Sequence, residues 1–85
     1  MDKVEVDNSH LKTRYLTIYL MWNKELKQYA VYNTTPDFHI GYIVYHRSIG
    51  SWILHPGVSI LLDESHLHDI ALFLHNVEAK TRRIV

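Results

Sequence analysis

The stretch RYLTIYLMWNKELKQYAVYN, residues 14–33, decides the fold class. Its first part, Tyr15-Leu16-Thr17-Ile18-Tyr19-Leu20-Met21-Trp22, is rich in β-branched and aromatic residues and fits a two-residue alternation. Leu16, Ile18, Leu20 and Trp22 then share one face, with Tyr15, Thr17, Tyr19 and Met21 on the other. Asn23-Lys24-Glu25 is a polar break suited to a turn. Lys27 to Asn33 returns as a second strand, with Tyr29 and Val31 opposite Gln28, Ala30 and Tyr32. A hairpin accommodates both runs.

C-terminal to the hairpin, Thr34-Thr35-Pro36-Asp37 reads as a loop, because proline drives its predecessor out of the helical region and Asp favours turns. A third strand is expected from about His39 to Arg47. Ser48-Ile49-Gly50 makes a turn, and Ser51-Trp52-Ile53-Leu54-His55 is a fourth strand closed by Pro56-Gly57. Val58 to Leu62 is extended and adds a short edge segment. Asp63 is the expected helix N-cap, with Glu64 favourable beside the positive helix end and Ser65 the alternative cap. The helix is expected over Glu64 to Ala79. Leu67, Ile70, Ala71, Leu74 and Val77 form its apolar stripe, flanked by Phe73, while His68, Asp69, His75, Asn76 and Glu78 face water. The expected fold is therefore α+β: an antiparallel sheet of about four strands with one C-terminal helix packed on one face. Both faces of the first strand are apolar, so either can take the helix. Residues 1–12 read as a polar leader, 13–80 as one domain and 81–85 as a short basic tail.

Composition narrows the function classes. Of the 85 residues 47% are hydrophobic and 21% charged, which is the balance of a folded domain and argues against disorder. Without cysteine there is no disulfide framework, thiolate nucleophile or cysteine-based zinc site. The apolar runs Tyr29–Tyr32, Ile40–Tyr45 and Val58–Leu62 are far short of a membrane span, and the polar N-terminus carries no signal-peptide pattern. Nine basic and nine acidic residues cancel, so the basic excess that drives binding to nucleic-acid phosphates is missing.

The order Ile40-Gly41, Ile43, Tyr45, then Trp52, Leu54 and Pro56, then Leu62-Asp63, Leu67, Asp69-Ile70-Ala71 and Phe73-Leu74 resembles a group of small proteins encoded by phages and prophages. The resemblance spans residues 40–74. The chain departs from that pattern at Ile49 and Gly50, where Trp and Arg are common, and at Leu72 and His75, where acidic residues are common. The matching residues are apolar or turn-forming, so what they carry over is a fold. The resemblance implies a viral origin and action in the cytoplasm of a host cell.

The most tempting constellation for chemistry is His66, His68 and Asp69 with His75. On a helix His66 and His68 point about 200° apart, and His68 and His75 lie about two turns apart, so neither pair chelates one ion directly. His46 with Ser48 or Ser51 is a conceivable base–nucleophile pair without an orienting carboxylate. With no phosphate loop and no catalytic carboxylate pair, the expectation is a protein without catalytic residues, cofactor or metal. The aromatic residues say more. There are six Tyr and two Trp, and Tyr15, Tyr19, Tyr32 and Tyr42, joined by Trp22 at its strand end, are expected on the face the helix leaves open. Such rings favour a protein interface, and Leu72 adds an apolar residue between His68 and His75 on the outer side of the helix. The expected function is a non-enzymatic, phage-type accessory protein that binds a host or viral protein, as a homodimer or as an inhibitor. The alternative is a nucleic-acid-binding regulator using the sheet aromatics and Lys80, Arg82 and Arg83.

Overall fold

A computed structural model describes residues 12–84, with side chains through Lys80. The elements are β1 (Lys12–Arg14), β2 (Ile18–Asn23), β3 (Gln28–Asn33), β4 (Phe38–His46), β5 (Ser51–Pro56) and α1 (Glu64–Ile84). The strands form one antiparallel meander in sequence order, β1-β2-β3-β4-β5. The fold is α+β, as the sequence pattern predicts, but with five strands in place of about four.

The additional strand arises inside the stretch read as one. Residues 15–17 do not continue β2 upstream. Tyr15 N donates to Ile18 O at 2.8 Å, and Leu16-Thr17 forms the tip of a tight β1–β2 turn. Thr13 pairs with Leu20 and Arg14 with Tyr19. That register puts Thr13 and Tyr15 on the same side as Ile18, Leu20 and Trp22, and leaves Leu16 88% exposed. The next turn follows its residues more directly. Asn23 Oδ1 accepts from the amides of Glu25 and Leu26, and Lys27 takes a left-handed φ of 57°.

Between β3 and β4 the register shifts at Val31/Tyr32, so that Val31 faces Gly41 and Tyr32 faces His39, with Ile40 as the extra residue. The bulge turns Ile40 into the core and keeps His39 and Tyr42 together on the other side. Val58 to Leu62 is not a strand. It crosses irregularly toward the helix, with Ile60 and Leu62 against the core and Val58 and Leu61 exposed.

Asp63 is the N-cap: its Oδ1 accepts from His66 N at 3.0 Å, and its carbonyl accepts from Leu67 N. The helix continues past Ala79 to Ile84 and packs chiefly against β5 and β2. Its buried stripe is Ile70, Phe73 and Val77, with Leu74 at the margin; Leu67 and Ala71 are exposed. Two neighbouring stripes satisfy helical spacing here, and the one that buries the large Phe73 ring wins over the one that buries Ala71. Phe73 meets Tyr29 edge-on at 4.8 Å and Tyr15 at 6.5 Å. With Ile18, Leu20, Val31, Ile40 and Ile43 they form the core.

Two helix carboxylates expected in water instead tie the helix to the sheet. Asp69 is buried, and its Oδ2 accepts from Thr17 N at 2.9 Å and Thr17 Oγ1 at 2.6 Å. Glu78 Oε2 accepts from Ser51 Oγ at 2.6 Å and Trp52 N at 2.7 Å. Each carboxylate thus satisfies one hydroxyl and one backbone amide of the sheet.

Candidate functional site: the open face of the sheet

Strand alternation and the bulge place Tyr19, Met21, Ala30, Tyr32, His39, Tyr42, Val44, His46, Ile53 and His55 on the side away from the helix. A strip of rings crosses it from strand to strand. Tyr19 and Tyr32, directly paired, are stacked with centroids 5.1 Å apart and planes 15° from parallel. Tyr32 meets His39 at 5.3 Å, and His39 meets Tyr42 edge-on at 4.8 Å. On the β1 side, Lys12 Nζ lies 5.5 Å and Arg14 Cζ 6.0 Å from the Tyr19 ring centre.

Rings this close and this parallel cannot both lie flat on the sheet; they stand up from it with their faces together. Tyr19 is held between Tyr32 and the β1 cations, and its hydroxyl reaches the Asp37 carboxylate at 3.0 and 3.1 Å. Desolvation, followed by the Asp37 hydrogen bond and charge, raises its pKa above the usual phenol value, so the ring stays neutral. Outward, the strip offers ring edges, hydroxyls and imidazole nitrogens. Met21 and Tyr42, each more than 40% exposed, add apolar surface, whereas Phe38, opposite Asn33, belongs to the helix side of the sheet.

Of the residues expected at an interface, Tyr19, Tyr32 and Tyr42 share this face. Tyr15 and Trp22 do not. The β1–β2 turn swings Tyr15 onto Phe73, and Trp22 packs against Tyr29 at 4.8 Å and Trp52 at 6.5 Å on the core side. Leu72 is 42% exposed on the outer side of the helix, remote from the strip. Lys80 is exposed near the helix C-terminus, whereas the side chains of Arg82 and Arg83 lie outside the described residues. The sequence reading missed His39, Met21, Lys12 and Arg14. The last two sit in a strand hidden by the turn, and His39 joins the tyrosines only because of the bulge.

Two further clusters occur elsewhere. At the end of the sheet a shallow groove of about 490 Å³ is lined by residues including Leu16, Thr34, Pro36, Phe38 and His66. His66 Nδ1 lies 2.8 Å from Asp63 Oδ1 and Nε2 2.6 Å from Asn33 Oδ1, while Asn33 Nδ2 donates to Pro36 O. The His66 backbone amide is the main cause holding Asp63 below the ordinary carboxylate pKa. These bonds join the helix start to the β3–β4 loop and engage both ring nitrogens of His66. On β4 and β5 the His46 ring meets that of His55, while Ser51, its partner in the strand register, gives its hydroxyl to Glu78. Among the described residues no three metal-ligating side chains gather, and no helix is long and apolar enough to cross a membrane. No protein-family model, curated protein or solved structure matches the chain.

Proposed function

We propose that this chain is a non-enzymatic interaction factor of the phage type, which binds a host or viral protein through the open sheet face and so acts inside the host cell. A second copy of the chain and a host protein held inactive are the two partner types that reading includes. The observation that supports it is the edge-outward ring strip Tyr19–Tyr32–His39–Tyr42 with Met21 beside it. Aromatic edges, hydroxyls and a thioether suit the mixed apolar and hydrogen-bonding surface of a folded protein. Base stacking needs open ring faces, and those of Tyr19 are covered by Tyr32 and the β1 cations. The zero formal net charge weighs on the same side.

The test is affinity capture from host lysate, with and without nuclease, using wild type, Tyr42→Ser with Met21→Ser, and Leu72→Ser. A stoichiometric protein that survives nuclease, is lost with the sheet-face variant and is retained by Leu72→Ser supports the reading. Binding that disappears on nuclease treatment, or that the sheet-face variant leaves unchanged, overturns it.

A further inference from the structure

Antiparallel pairing of β4 with β5 carries His46 and His55 on the same side of the sheet, with Val44 and Ile53 paired between them. The two Nε2 atoms approach to 2.7 Å with ring centroids 4.9 Å apart and planes 27° from parallel, so the rings meet edge to edge. His55 is exposed and His46 half-buried, so the pair is open to solvent. His66, by contrast, has both ring nitrogens engaged, by Asp63 and Asn33.

The centroid separation is close to the largest that this nitrogen distance allows, so the two Nε2 atoms meet nearly head-on in a hydrogen bond, and a turn of each ring is needed to aim both lone pairs at one ion. With metal–nitrogen bonds of about 2.0 Å, two imidazoles meeting at a right angle have their nitrogens about 2.8 Å apart, and a tetrahedral angle needs about 3.3 Å. The 2.7 Å separation lies nearest the right-angled case. We propose that His46 and His55 chelate a divalent transition-metal ion of tetragonal preference, copper(II) or nickel(II), with zinc(II) held more weakly. Starting from neutral rings, one Nε2–H donates to the other Nε2. On binding, that proton moves to Nδ1 of its own ring, both Nε2 lone pairs turn to the ion, and no net proton is lost. Among the described residues no third metal-ligating side chain joins the pair, so these two rings are the ligands proposed. Adjacent positions on the ion remain for water or for a group from a bound partner. Both ligands stand on paired strands, so the site is held by the sheet ladder and not by a loop.

Untagged protein titrated with copper(II) chloride and with nickel(II) chloride by calorimetry tests this, with pulsed electron paramagnetic resonance on the copper sample to count coordinated imidazoles. One ion per chain and two imidazoles are expected. His46→Ala and His55→Ala should each weaken binding roughly tenfold or more while circular dichroism stays unchanged, and His68→Ala with His75→Ala should bind as wild type. Equal affinity in the His46→Ala, His55→Ala double variant, a single coordinated imidazole, or no binding by wild type would overturn the assignment.

Discussion

Gly41 stands opposite Pro56 in the β4–β5 ladder. A Cβ built there would overlap the His55 carbonyl oxygen and lie 2.8 Å from Pro56 Cα, both backbone atoms that cannot swing aside. Gly41→Ala should therefore force the strands apart and cost about 3 kcal/mol, lowering Tm by roughly 10–25 °C; thermal unfolding read by circular dichroism checks it, and an unchanged Tm would mean that the ladder yields there. Asp69 carries a second prediction. The Thr17 hydroxyl is the main cause holding its carboxyl below the ordinary value of 3.8, with the Thr17 amide adding to it and burial opposing. A depressed folded pKa means that the ionised form stabilises the fold above 3.8 and that this contribution is lost as pH falls through the lower folded value. Asp69→Asn should flatten the acid side of the stability profile and leave its neutral side lower by about 1–2 kcal/mol, as denaturant titrations from pH 2 to pH 7 would show.

At the scale of elements, the helix is attached on either side of its midpoint by carboxylates, to the β1–β2 turn through Asp69 and to β5 through Glu78. Glu78→Ala should speed hydrogen exchange at the Trp52 amide well beyond that at Tyr29, at a cost of about 1–2 kcal/mol. Equal acceleration at both amides would point to global loosening instead. These attachments also mark what the sequence left unread. The β2–β3 hairpin, the β4 and β5 strands and the Asp63 cap were all legible from alternation, turn residues and capping chemistry. The β1 strand was not, because Tyr15-Leu16-Thr17 has strand-forming side chains and no Gly, Pro or Asn to announce a turn; the Thr17–Asp69 bond across 52 residues supports that turn. The helix face was misjudged for a related reason. Local periodicity allows two stripes, and only tertiary partners such as Tyr29 and Thr17 select between them. Three of the five aromatic residues assigned to the open face lie there, while Tyr15 and Trp22 followed the hidden turn and the true strand parity into the core.

At the scale of the whole molecule, a meander of consecutive strands leaves one sheet face under the helix and the other uncovered. The same topology creates two outer strands, and an outer strand is ordinarily a template on which another chain can add itself. Here the β5 border is largely closed to such growth. Trp52 N is held by Glu78, and Pro56, which has the same parity, has no amide hydrogen to give. Along Ser51–Pro56 this leaves Leu54 as the remaining outward amide of that parity. At the opposite border β1 is only three residues long and carries Lys12 and Arg14. Among the described residues the β5 border offers no continuous run of donors, so recruitment by strand addition, and the runaway edge-to-edge stacking that accompanies it, is discouraged on that side of the sheet.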